Sequence, residues 1–134
     1  LVYLLPGAIE TLNYLKDKGL KMAIASNRPS YTANLILKSL KIKDYFSVTF
    51  FEDSLKNRKP HPEMITKIME RLKVRAEETL YVGDMTIDAQ TGKRAGVKTV
   101  IVLTGSSERE EVEKEEPYDI INSLSDLIPL IKTL

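Results

Sequence analysis

The sequence predicts an α/β protein built on a doubly wound parallel sheet, with helices on both faces. Two observations carry that prediction. Short apolar runs alternate with amphipathic segments along the chain. The apolar runs are also continuous rather than alternating with polar residues, the signature of strands buried on both faces. A chain of 134 residues suits one domain spanning residues 1–134 and is long enough for a real core.

Each element has its own reason. In "PGAIETLNYLKDKG" the residues Ile9, Leu12 and Leu15 share a helical face, with Pro6 near the entry and Gly19 as a C-terminal stop. "LKMAIAS" reads as a buried strand, and "RPSYTANLILKSL" as a helix with Ala33, Ile36, Leu37 and Leu40 at helical spacing. "YFSVTFF" is β-rich, and the prolines and charges of "KNRKPHP" make it a loop. Met64, Ile65, Ile68, Met69 and Leu72 form a wide helical stripe. "TLYVG" is a strand, "IDAQTGKRAG" a helix ending at Gly96, and "KTVIVL" another buried strand. "SEREEVEKEE" is a solvated helix that a Ser107–Glu110 capping box could open. "YDII" is a short strand and "SLSDLIPLIKTL" a terminal helix. There is no internal repeat and no linker.

Composition removes several function classes. The 20 basic and 19 acidic residues leave a net charge of +1, which offers no support for a nucleic-acid or membrane partner. No apolar run approaches the ~20 residues of a membrane span. The absence of cysteine excludes thiol nucleophiles and thiolate metal sites, and a single histidine, His61, excludes a histidine-rich one. Nothing calls for an oxidising compartment, and a cytoplasmic location is expected. The first residue is Leu1 and "LVYLL" begins abruptly, so the chain reads as a piece of something longer.

Ligands of parallel α/β sheets sit beyond the carboxyl ends of the strands. That rule selects Ser26–Asn27, the loop from Glu52 to Pro62, Asp84 with Asp88, and Thr104–Gly105. Asp84 and Asp88 stand four apart, so both face one side if a helix begins between them. Their mutual repulsion is relieved by a hard divalent cation such as Mg²⁺. The plainer alternative is that Asp84 caps the helix and Asp88 favours its positive end. Ser26–Asn27 could hold an anion with a hydroxyl and backbone N–H groups, or could be an ordinary cap. Lys59, in a loop stiffened by the prolines on either side of His61, could present a point charge, or could be a solvated loop lysine. His61, Lys56 and Arg58 read as loop residues facing solvent. Considered together, these groups form a device for a phosphate ester and Mg²⁺. No GxxxxGK[ST], GxGxxG or GxSxG motif is present, and Gly92 inside a helix points to close packing rather than a nucleotide loop.

These residues resemble the haloacid-dehalogenase-like hydrolase superfamily (HAD), in its phosphoglycolate-phosphatase-like branch. The resemblance runs from "LPGAIETLNYLKDKGLKMAIASN" through "KNRKPHPEMI" to "YVGDMTIDAQTGKRAGVKTVIVLTG" and fades after it. It implies a Rossmann-like core without a cap domain in this chain. It implies a Mg²⁺-dependent phosphomonoester hydrolase acting on a small phosphorylated metabolite through an aspartyl-phosphate. By position, Ser26 matches the hydroxyl that binds the transferring phosphoryl group, with Asn27 supplying its backbone amide. Lys59 matches the lysine that balances charge on nucleophile and phosphate. Asp84 matches a Mg²⁺ ligand, and Asp88 its partner, acting directly or through metal-bound water.

One departure is large. The family's first motif, an Asp-x-Asp pair ending a central strand, has no counterpart, because no two aspartates here are separated by one residue. The nucleophile is therefore expected outside this chain, and the isolated chain is expected to be nearly inactive. The missing strand would lie between those carrying Ser26 and Asp84; an upstream segment, self-association or "LVYLL" itself could fill its place. The rival reading is a non-catalytic domain that binds phosphate, metal or protein. A response-regulator receiver is a weaker rival, since its Lys-Pro falls near the last strand and here Lys59–Pro60 precedes Gly83–Asp84.

Overall fold

The computed structural model describes residues 4–134. Helices and strands alternate as expected: α1 (Ala8–Asp17), β1 (Ala23–Ala25), α2 (Ser30–Ser39), β2 (Val48–Phe50), α3 (Glu63–Leu72), β3 (Leu80–Gly83), α4 (Thr86–Ala95), β4 (Lys98–Val102), α5 (Arg109–Lys114), β5 (Asp119–Ile121) and α6 (Leu127–Lys132). Every strand pairing is parallel, so each connection is a crossover, and the helices serve as those crossovers.

The sheet comes in two pieces. β1 pairs with β2, and separately β3, β4 and β5 form a ladder in that order. β1 and β3 therefore each carry one edge that no described strand pairs. The cost is visible in burial. Val100 and Ile101 of β4, paired on both sides, are fully buried, whereas every residue of β1 and β3 is only partly so. The apolar cores divide the same way. Ala33, Leu37, Ile42 and Phe51 form one cluster and Phe50, Met64 and Ile68 another, both around β1 and β2. Val100, Val102, Ile121 and Leu127 form a third, and Ala89, Ile101 and Val112 a fourth, both around β4.

Three expectations need correction. In α1, Ala8 and Thr11 face inward while Ile9 is exposed, so the buried stripe is turned from the expected one. Thr11 can face inward because its hydroxyl donates to Gly7 O at 2.7 Å, which satisfies the polar atom. The Ser107–Glu110 box does not form: α5 starts at Arg109, and Ser107 Oγ instead accepts from Thr86 N at 3.2 Å, capping α4. The idea that "LVYLL" fills a strand position falls partly on Leu1–Tyr3, outside the described residues; Leu4 and Leu5 lie in no strand. Gly92, by contrast, behaves as its sequence context implied. A Cβ there would overlap the Thr99 hydroxyl, so glycine lets α4 lie directly against β4.

Candidate active site

Four loops leave the carboxyl ends of β1 to β4, and hydrogen bonds tie them together. The first tie is the Asn27 side chain. Its Nδ2 donates to Lys59 O at 3.0 Å and its Oδ1 accepts from Lys59 N at 3.0 Å. One amide thus satisfies both backbone groups of Lys59 and fixes the β2–α3 loop to the end of β1. Ser26 sits beside it, its N donating to Phe50 O at 3.0 Å as the β1–β2 ladder ends. The Ser26 hydroxyl oxygen accepts from Arg28 N at 3.1 Å, which leaves its proton for an acceptor outside the loop.

The Lys59 ammonium turns toward the other ladder. It lies 2.6 Å from Asp88 Oδ1 and 3.1 Å from the Tyr81 hydroxyl, and that hydroxyl is 2.7 Å from the same carboxylate oxygen. Asp88 belongs to the first turn of α4 and is 3% exposed. Its Oδ2 accepts from Asp84 N at 3.1 Å and Met85 N at 3.2 Å, two amides left free by the start of the helix. A Cβ at position 83 would overlap this carboxylate, so Gly83 is what allows it so close to the strand. Burial alone pushes the Asp88 carboxyl up. The Lys59 charge and hydrogen bond, with the hydrogen bonds from Tyr81 and the Asp84 amide, outweigh it and hold the group below its usual value. The same burial, with Asp88 next, pushes the Tyr81 phenol far up, so it stays protonated.

Asp84 is placed differently. Thr104 and Ser106, from the loop after β4, both donate to its Oδ2, at 3.2 and 3.1 Å. Its Oδ1 has no protein partner among the described residues. The predicted site residues therefore converge, Ser26 through its neighbour Asn27, and Asn27, Lys59, Asp88 and Asp84 through direct bonds. His61 is a loop residue, as read, its Nδ1 accepting from Glu63 N at 3.1 Å, and Arg58 is engaged with Glu52 at 2.7 Å.

The donor set suits part of a Mg²⁺ shell. Mg²⁺ is commonly held by one or two carboxylates, with waters and substrate phosphate filling the rest. Asp84 offers an uncommitted carboxylate oxygen of that kind. Asp88 has both oxygens committed to four protein donors, so direct ligation there would cost existing hydrogen bonds. Among the described residues no group of three or more His, Cys, Asp or Glu side chains could hold a metal by itself.

Four contributors go beyond the sequence reading. Asn27 was expected to act through its backbone, and its side chain does the clamping. Thr104 was marked by position alone, and Ser106 was not marked. Tyr81 stood out only as part of the strand "TLYVG", although a tyrosine in a buried strand needs a partner for its hydroxyl, and that need was the available signal.

Known proteins resemble this chain in sequence and fold. The family model for haloacid dehalogenase-like hydrolases matches residues 1–102. The chain is 33% identical over 129 residues to a phosphoglycolate phosphatase of Escherichia coli strain K12 and 36% identical to one of Salmonella choleraesuis. Each alignment covers 96% of the chain and 51% of the relative, so the chain spans about half the length of the curated relatives it matches. Among solved structures, a predicted phosphoglycolate phosphatase from Haemophilus somnus superposes with a TM-score of 0.91 at 26% identity, covering 96% of this chain and 57% of that one. A hydrolase from Pseudomonas syringae gives 0.87 at 26%, covering 97% and 59%. A matching family model over most of the chain, relatives above 30% identity and the same parallel α/β core agree: the chain belongs to the haloacid dehalogenase-like hydrolases, in the branch that resembles phosphoglycolate phosphatases.

Proposed function

We propose that this chain forms the carboxyl-terminal part of a Mg²⁺-dependent phosphomonoesterase for a small phosphorylated metabolite, acting in the cytoplasm. The observation that carries the reading is the convergence of Ser26, Lys59 and Asp84 on one rim, joined by the Asn27 clamp and the Lys59–Asp88 pair. Ser26 would donate its free hydroxyl proton to a phosphoryl oxygen, with the Asn27 amide beside it. Lys59 would supply positive charge to the same anion. Asp84 would hold Mg²⁺ through Oδ1, while Asp88 would act at one remove, through water, the Asp84 amide and Lys59. Bound there, Mg²⁺ would neutralise phosphate charge and orient the ester.

The nucleophilic aspartate lies outside this sequence in this reading, on a strand that would enter between the open edges of β1 and β3. An upstream segment is the occupant favoured here, because the relatives are about twice as long. The absence of an Asp-x-Asp pair also favours a second reading, a domain that binds phosphate, metal or protein without catalysis.

The test uses the chain alone and the chain extended by its own upstream coding sequence, each assayed with Mg²⁺ on an aryl phosphate and on 2-phosphoglycolate. The extended protein should turn over and the chain alone should not. In the extended protein Asp84→Asn or Ser26→Ala should lower kcat by roughly a hundredfold to a thousandfold. Enzyme-like turnover by the chain alone would refute the external nucleophile. An extended protein without activity would leave only the binding-domain reading standing.

A further inference from the structure

We propose that Tyr81 is a positioning residue that sets the direction of the Lys59 ammonium; this rests on the reading of Lys59 as the cation that meets phosphate. A lysine ammonium is a point charge on a flexible four-carbon stem, with three N–H donors and no acceptor. One carboxylate oxygen does not fix its direction, because the stem can swing while keeping one contact. Here two acceptors hold it, Asp88 Oδ1 at 2.6 Å and the Tyr81 oxygen at 3.1 Å. Two of the three N–H groups are thereby spent, and the third is left for a ligand.

The polarity of the triangle is determined by chemistry. Asp88 Oδ1 can only accept, so the contact at 2.7 Å requires Tyr81 to donate its one proton there. Its oxygen lone pairs are then free to receive Lys59. A phenol can fill both roles at once, and phenylalanine can fill neither. The donation also shares Asp88 Oδ1 between two donors, so the carboxylate does not draw the ammonium to itself alone. The two anchors stand on regular elements, Tyr81 opposite Thr99 in the β3–β4 ladder and Asp88 in the first turn of α4. Lys59 stands on a loop, and the rigid partners give that loop's cation a fixed aim.

The test compares the unaltered chain with Tyr81→Phe and Lys59→Ala, first without ligand and then with inorganic phosphate and Mg²⁺. In the unaltered chain the Lys59 ammonium should give a resolved, slowly exchanging ¹⁵N-edited signal. Tyr81→Phe should keep the fold by circular dichroism, broaden or abolish that signal, and weaken phosphate binding roughly threefold to tenfold, the worth of one hydrogen bond. A purely structural tyrosine would lower the unfolding midpoint yet leave the ammonium signal and phosphate affinity of the folded chain unchanged. That result overturns the proposal. If Tyr81→Phe does not fold, the unaltered chain decides, because a rapidly exchanging Lys59 signal there is incompatible with a fixed ammonium. Lys59→Ala separates the two levels of the argument. Phosphate binding that survives it removes the phosphate role of Lys59, whatever Tyr81 does.

Discussion

Strands β4 and β1 have similar chemistry and different surroundings. β4 reads KTVIV and pairs on both sides; β1 reads AIA and pairs only with β2. Ile101 in the first is fully buried, while Ile24 in the second is partly exposed, although both are apolar residues of parallel strands. The lesson is that an apolar run states a strand's demand for cover, and only its neighbours decide whether the demand is met. The two ladders have separate apolar clusters, and polar contacts bridge them at the rim: Lys59 to Asp88 and Tyr81, and Arg94 Nη1 to Pro60 O at 3.3 Å. The proposed active site is thus also a joint between two packing units.

Truncating the two isoleucines tests this contrast most directly. Ile101→Ala should destabilise the chain by about 4 kcal/mol, within the range for a buried isoleucine, and Ile24→Ala by about half as much. Urea unfolding of both variants measures the difference, and equal costs would erase the contrast. Extending the chain upstream should raise the cost at Ile24 toward that at Ile101 if the added sequence covers β1.

Gly92→Ala sharpens the same contrast from the tight side. Helix propensity alone predicts a gain of about 1 kcal/mol. Because the new methyl would overlap Thr99, a loss of about 2 kcal/mol is expected instead. A stabilised variant by thermal melting would show that α4 can move off β4 freely.

The smallest effect lies in the open half, where Asp53 accepts from the Ser30 hydroxyl at 2.6 Å and the Ser30 amide at 2.8 Å, at the start of α2. Those two bonds, the hydroxyl's first, hold the Asp53 carboxyl below its usual value. A lowered folded value means the contribution is present above the ordinary unfolded value and is lost as the pH falls through the folded one. Asp53→Asn should therefore be slightly less stable than the parent at neutral pH, and the gap should close in acid. A gap independent of pH in paired denaturation curves would contradict this.

Much of this molecule was legible before any coordinates. The order of elements followed from periodicity, and the rim rule brought out Ser26, Lys59 and Asp84 because sequence position after a strand fixes a residue's end of the sheet. The break in the sheet was foreseeable from the absent Asp-x-Asp, through family resemblance rather than pattern. What stayed hidden depends on side-chain direction. Nothing in "SN" distinguishes an amide that reaches a backbone 32 residues away from one that faces water. The inward turn of Thr11 was equally invisible, because its hydroxyl is satisfied within its own helix and leaves no polar penalty in the pattern.

The unpaired edges of β1 and β3 also bear on how the chain behaves at high concentration. A bare strand edge is a template for any other extended segment, and a molecule with more than one such edge permits head-to-tail stacking. At three and four residues, these strands give each junction few backbone bonds. Association through them should be weak and reversible, seen as light scattering that rises with concentration and disappears on dilution, rather than as ordered fibres.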